Sequence, residues 1–394
     1  MFNLRTKVTI PHGMRGATSN DEKECDLAPR LFGPITLRKL AIANRICVAP
    51  MCQYSAENGV PNDWHLVHLG RFGMAGPGLI FTEATGVEPD GRITPACTGM
   101  YDDATEEAWA RIVAFIKSVG NSTVGMQLGH SGRKGNTVAP WYGGGMVDGA
   151  GGWEPQAPSA VAYLDGWPEP RAMHDADFER TTTAFADAAR RADRAGFDTV
   201  QVHAAHGYLL HQFLSPVTNR RDDLYGGSLE NRMRFPLEVF RAVRDAFPAE
   251  KPVMLRLSAS DWIEGGWNID EAVDFCRALK DAGCDMVDIS SGGLDQSQKI
   301  ETGPGYQLGF AQRIRAETGI ATMTVGQVTD PVQAETILRT GQADMVALAR
   351  GMLWDPNWVW KAAVAMDVEL PMPAPFARCN PKLRSTPFVK RDAR

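Results

Sequence analysis

The sequence predicts a single (β/α)8 TIM barrel, and three features carry that expectation. Eight short apolar runs rich in β-branched residues recur along the chain, helical patterns separate them, and no G-x-G-x-x-G follows the first run. Alternation of this kind favours a parallel barrel, and the missing glycine signature argues against a doubly wound dinucleotide-binding sheet.

In chain order the runs are RICVAP (45 to 50), GLIFTEA (78 to 84), STVGMQLG (122 to 129), DTVQVHA (198 to 204), PVMLRLS (252 to 258), DMVDISSG (285 to 292), ATMTVGQ (321 to 327) and DMVALARG (344 to 351). Their length and composition suit strands buried on both faces. Between the third and fourth, Ala176 to Ala195 place Phe178, Phe185, Ala189 and Ala192 on one helical face, behind a cap at Asp175 or Asp177. Two connections are long: about 45 residues rich in Gly, Pro and Trp after the third run, and AAHGYLLHQFLSPVTNRRDDLYGGSLENR after the fourth. Both fall on the C-terminal face of the barrel, where barrel enzymes place their sites.

Strand parity sends some polar side chains inward. In TVGMQLG the apolar set Val124, Met126 and Leu128 faces the helices, leaving Gly125, Gln127 and Gly129 inside. The same parity turns Gln201, His203, Met254, Arg256 and Ser258 to the interior. A buried guanidinium needs a partner. One reading is a structural network, with Arg256 paired to Asp288 or Glu83; the other is a flat polar ligand contacted by Gln127 and Arg256, with room made by the glycines. The seventh run ends at Gly326 before a helix opening near Asp330-Pro331, and the eighth ends at Arg350-Gly351. Loops at those two ends form the usual phosphate site of barrel enzymes. A phosphorylated, planar cofactor of that size points to FMN.

Bulk properties narrow the partners. With 394 residues, 44% hydrophobic content, a net charge of −6 and no basic run, the chain suits a small diffusible ligand rather than nucleic acid or an anionic membrane. The seven cysteines (25, 47, 52, 97, 276, 284, 379) form no C-x-x-C pair, which suits a reducing compartment. The first residues lack the unbroken apolar core of a signal peptide, and a cytoplasmic protein is expected. The expected organisation is a polar extension over 1–28, a barrel over 29–366 and a tail over 367–394.

The residues also match a known pattern. LFGPITLRKLAIANRICVAPMCQYS, DWHLVHLGRF, HSGRKG, HAAHGYLLHQFLSPVTNRRDDLYGGSLENRMRFPLEVF, SSGG, GPGYQ and VALARGMLWDP resemble the old yellow enzyme family of FMN-dependent ene-reductases, from about Leu31 to Ala363. The Cys-Gln-Tyr at 52 to 54 and the His-x-x-His pair resemble its thermophilic-like bacterial branch. The resemblance implies that Ala49, Pro50, Met51, Cys52 and Ala84 surround the flavin ring, that Cys52 tunes its potential, and that Gln127 and Arg256 hold its pyrimidine edge, with His203 close by. Arg350, Ala349, Gly326 and Gln327 take the phosphate, and Lys134 lies near the ribityl chain or flavin N1. His203 and His206 bind a carbonyl or nitro oxygen, Tyr208 donates a proton, and Tyr54 lines the same pocket. NADPH or NADH is the implied hydride donor and an activated alkene the acceptor. A homodimer or homotetramer is implied as well, with Arg378 or Arg384 entering a neighbouring subunit's site and Phe376 where a Tyr is common.

The same residues argue against other chemistries. A barrel metallohydrolase gathers ligands from several strand ends, yet Met51-Cys52-Gln53-Tyr54 and Arg350 occupy two of them here, and arginines repel a cation; no metal is expected. His211 reads as packing, and His65 and His68, spaced i, i+3, as structural or interfacial. An iron-sulfur cluster after the barrel needs about four thiolates, whereas Cys379 stands alone there. A non-catalytic flavin-binding protein would lack a proton donor, which Tyr208 supplies.

Overall fold

The computed structural model describes residues 28–147, 151–370 and 372–380. The expected N-terminal extension (all but residue 28), Cys25 and Arg384 lie outside the described residues. Eight parallel strands close into a barrel: β3 (Ile46–Val48), β4 (Leu79–Gly86), β5 (Thr123–Gly129), β8 (Thr199–Ala204), β9 (Val253–Ser258), β10 (Met286–Ser290), β11 (Thr322–Thr324) and β12 (Met345–Leu348). Each falls within one of the eight apolar runs or overruns it by at most two residues. Closure comes from β12 pairing with β3, Val346 opposite Ile46 and Leu348 opposite Val48.

Helices α1 (Asp63–Ala75), α2 (Asp103–Val119), α3 (Asp175–Arg194), α5 (Leu229–Ala246), α6 (Ile269–Asp281), α7 (Leu308–Thr318), α8 (Pro331–Arg339) and α10 (Trp358–Ala365) return the chain between strands, with short α4 (Leu209–Leu214) and α9 (Arg350–Trp354) at strand ends. Their local causes are legible. Asp102 caps α2 by accepting the Thr105 N–H at 2.8 Å, and Trp109, Ile112, Val113 and Ile116 form its buried face. In α3 the expected cap is displaced: His174 is the N-cap, and Asp177, three residues on, accepts its N–H at 2.9 Å while pairing with Arg171. A carboxylate at that position reaches back to the N-cap amide, as in a capping box.

Two cores result from the strand parity. Val124, Met126, Leu128, Val200, Val202 and their neighbours pack outward against the helices. Inside, Cys47, Leu79, Phe81, Met254, Met286, Met323 and Met345 form an apolar plug near the N-terminal ends of the strands. A hairpin outside the eight apolar runs, β1 (Ile35–Leu37) with β2 (Leu40–Ile42), adds Leu37 and Ile42 to that plug and covers this end. The long insertion after β5 has structure of its own: β6 (Gln156–Ala157) pairs in parallel with β7 (Arg171–Ala172). Among the described residues no helix is long and apolar enough to cross a membrane.

Candidate functional site

Above the apolar plug the interior turns polar. Gln127 stands opposite Gln201, and Arg256 lies between His203 and Asp288 in the strand register. Gln127 Nε2 donates to Gln201 Oε1 at 2.6 Å, Gln201 Nε2 donates to Asp288 Oδ2 at 3.3 Å, and Arg256 Nε lies 3.2 Å from the same oxygen. The pairing of Arg256 with Asp288 is therefore real, and Glu83 faces elsewhere. It does not exhaust the layer: Arg256 Nε and Asp288 Oδ1, both buried, have no well-formed hydrogen bond. Unsatisfied buried polar atoms call for a further partner, and the set fits the edge of a flat, hydrogen-bonding ring. Burial pushes the Asp288 carboxyl above its ordinary value, with Arg256 opposing. One expected vacancy is filled: a Cβ on Gly125 would stand 2.4 Å from the Phe81 ring, so this glycine accommodates Phe81 rather than a ligand.

The end of β8 bends sharply to gather the histidines. His206 (φ 57°) and Gly207 (φ 72°) are both left-handed, and Gly293 packs so closely that a Cβ there would lie 2.7 Å from the His206 Cα. The His206 N–H donates to Ser258 Oγ at 2.9 Å, and its Nε2 sits 2.7 Å from Ser290 Oγ. The Ala205 N–H donates to His203 Nδ1 at 3.3 Å, which places the His203 proton on Nε2. The His203 ring centroid lies 5.3 Å from that of His206 and 5.1 Å from that of Tyr208. Burial, then the Arg256 charge, lowers both imidazoles well below their ordinary value, so both are neutral. Burial holds the Tyr208 phenol protonated. A cavity bordered by Ala84, Arg92, Ile93, Gly129, His203 and Tyr208 opens beside them. Arg92 and Ile93 belong to an irregular loop, and nothing in its sequence pattern singles them out.

His211 is packing: its Nδ1 accepts the Gly207 N–H at 2.9 Å and its Nε2 lies 2.8 Å from Asp261. Lys134 stands beside the histidine turn. Its ammonium donates to the carbonyls of His206 (2.9 Å) and Gly293 (2.8 Å) and lies 5.1 Å from the Tyr208 ring centroid. Burial and neighbouring Arg133 lower its pKa to about 7. It ties the turn carrying His206 to the loop after β10.

On the opposite wall, Ala49 to Tyr54 follow β3, and Tyr54 adopts φ 49° with its ring edge-on to Trp141 at 5.6 Å. Burial above all raises the Cys52 thiol well above its ordinary value. At the far rim Gly326 (φ 132°) and Gln327 (φ 52°) turn the chain after β11, Asp330 caps α8, and Ala349-Arg350 open α9. Arg378 is exposed on a turn whose Phe376 packs against Trp360 at 5.5 Å. Glu88, Asp90 and His130 bring three possible ligand atoms together. Arg180 Nε lies 2.9 Å from Glu88 and Thr181 donates to it, so a cation there would face a guanidinium.

The buried imidazoles predict a pH dependence. His68 is lowered from 6.5 to about 4 by burial and then by Arg71, and His130, His203 and His206 are lowered too. Between pH 6.5 and about 4 the unfolded chain binds protons that the folded state refuses, so stability is lost as pH falls through that window. Urea midpoints at pH 7 and pH 5 should show the loss, reduced in His68→Gln; an equal midpoint in the wild type would contradict it.

Known proteins share this fold. The profile of the NADH:flavin oxidoreductase / NADH oxidase family matches residues 30–369. An NADPH dehydrogenase of Geobacillus thermodenitrificans is 42% identical over 350 residues, covering 88% of this chain and 98% of that protein. Morphinone reductase superposes with a TM-score of 0.71 at 31% identity, covering 88% of this chain and 93% of the other. A complex of 2-naphthoyl-CoA reductase with 2-naphthoyl-CoA superposes with a TM-score of 0.77 at 25% identity, covering 85% of this chain and 52% of that one, so the chain spans about half the length of that reductase.

Proposed function

The chain belongs to the NADH:flavin oxidoreductase / NADH oxidase family, the old yellow enzymes, and on that premise we propose that it reduces the C=C bond of α,β-unsaturated carbonyl or nitro compounds. It is an FMN-dependent NAD(P)H oxidoreductase. The observation that supports the finer reading is the convergence of a free His203 Nε2–H, neutral His206 and protonated Tyr208 on one side of the polar layer.

FMN, when bound, would supply the redox chemistry, the transfer of hydride equivalents between NAD(P)H and the alkene. Gln127 and Arg256 hold its pyrimidine edge. Ala49, Pro50, Met51, Cys52 and Ala84 line the ring. Gly326, Gln327, Ala349 and Arg350 take the phosphate with backbone N–H groups and a guanidinium. The His203 Nε2–H donates to the substrate oxygen. Ser290 Oγ, 2.7 Å from His206 Nε2, orients that ring, and in the tautomer protonated on Nδ1 the Nδ1–H is the second donor. Two such donors stabilise charge that develops on the oxygen as hydride arrives. The Tyr208 O–H then protonates the α-carbon, and Tyr54 closes the pocket with Trp141 behind it.

Purified protein should carry bound FMN and oxidise NADPH faster when cyclohexenone is added; a colourless protein unable to take up FMN would sink this reading. His203→Ala combined with His206→Ala should weaken phenolate binding by about 100-fold, since a hydrogen bond to a charged group contributes roughly 1.5–3 kcal/mol. Charge-transfer titration with a para-substituted phenol measures it, and an unchanged affinity would reduce the pair to scaffold. Assembly into a homodimer or homotetramer, with Arg378 or Arg384 reaching a neighbouring site, belongs to the same proposal.

A further inference from the structure

The walls of the site rest on a buried pair that the reaction does not use. Strand β4 is irregular: Phe81 pairs with Gly125 but Ala84 with Gln127, so β4 holds one extra residue against β5. A bulge of this kind re-aims side chains. Here it returns Ala84 to the barrel mouth and sends Glu83 outward to helix α1. Glu83 is 4% exposed. Its Oε1 lies 3.2 Å from His65 Nε2, and its Oε2 accepts the Gln53 N–H at 3.1 Å. His65 Nδ1 accepts the Asn62 N–H at 3.1 Å, which leaves the His65 proton on Nε2, facing Glu83.

These contacts enclose one segment from both ends. Asn62 Nδ2 donates to the Ser55 carbonyl at 2.8 Å, while Glu83 holds the amide of Gln53. Within the segment Gln53 Nε2 donates to the Met51 carbonyl at 2.9 Å, and Trp64 Nε1 donates to Gln53 Oε1 at 3.1 Å. Between the two anchors stands Tyr54 in its left-handed conformation, which a non-glycine residue keeps only when its surroundings impose it. The strap from Met51 to Ser55 is thus fixed by a carboxylate and an imidazole that touch neither its reactive side chains nor the polar layer.

We propose that Glu83 and His65 are positioning residues for this strap, holding Met51 and Cys52 against the flavin and Tyr54 in the substrate pocket. The inference rests on the placement of residues 49 to 52 at the flavin ring. Glu83 acts through the backbone amide it accepts, and its negative charge also opposes ionisation of Cys52, after burial and Cys97.

The test compares Glu83→Ala, Glu83→Gln and Cys52→Ala by reconstitution of the apoprotein with FMN, the visible spectrum of the bound flavin and its midpoint potential. Glu83→Ala should bind FMN about 10- to 100-fold more weakly, the loss expected for one charge-assisted hydrogen bond, with a shifted potential. Glu83→Gln keeps the acceptor for the Gln53 amide and should recover most of the affinity. Wild-type affinity and potential in Glu83→Ala overturn the proposal; where Glu83→Ala does not fold, Glu83→Asp, which draws the carboxylate back from the Gln53 amide, takes its place, and wild-type flavin binding and potential there overturn it equally. A Cys52→Ala variant that shifts the flavin spectrum while the Glu83 variants do not leaves the flavin placement standing and removes only this inference; no shift in Cys52→Ala counts against the placement itself.

Discussion

Tyr208→Phe slows reoxidation of the reduced protein by an activated alkene roughly 100- to 10,000-fold, the usual contribution of a placed general acid. Reduction by NADPH stays near the wild-type rate, because that half-reaction moves hydride without needing the phenol proton. Geometry supports the split: the Tyr208 ring packs 5.1 Å from the His203 ring centroid, and the residue stands at the N-cap position of α4 without a side-chain capping bond, so phenylalanine fits the same space. Burial keeps the phenol protonated well beyond neutral pH, which makes it a donor rather than a base. Stopped-flow flavin absorbance resolves the two steps. Equal loss in both would exclude Tyr208 as the proton donor.

Arg256→Met has the second large effect, and it acts twice. Asp288 is fully buried and would lose its cation, and breaking a buried pair by removing one partner costs roughly 3–5 kcal/mol. The proposed pyrimidine contact is lost as well, weakening FMN by about 100-fold or more. The double variant Arg256→Met with Asp288→Leu separates the two effects: it should regain much of the urea stability but none of the FMN affinity. Recovery of both would mean that Arg256 serves the fold alone. Retention of FMN affinity by Arg256→Met itself would leave the guanidinium only its ion pair with Asp288.

Much of this site was legible from period-2 alternation. Gln127, Gln201, His203 and Arg256 were all turned inward by the same rule that sends Val124, Met126 and Leu128 to the helices, and their register confirms it. Extending the rule one strand further turns Asp288 and Ser290 inward, the partners of Arg256 and His206. The rule fails at β4, where the bulge between Phe81 and Ala84 puts both on the inner side although their numbers differ in parity. Gly125 misled for a related reason: a glycine in a strand signals close approach, but the sequence does not say whether a ligand or Phe81 approaches.

The sequence by itself determined the barrel, the order of its strands, the end that carries the site and the family, because alternation, run length and contiguous motifs are local properties of the chain. Tertiary structure alone decided that Lys134 clamps His206 to Gly293, that His211 answers Asp261, and that Glu83 reaches across to His65 and Gln53. Those contacts join residues from different βα units. Their distances depend on left-handed turns at Tyr54, His206 and Gly293 and on one extra residue in β4, and a backbone dihedral leaves no periodic trace in the sequence.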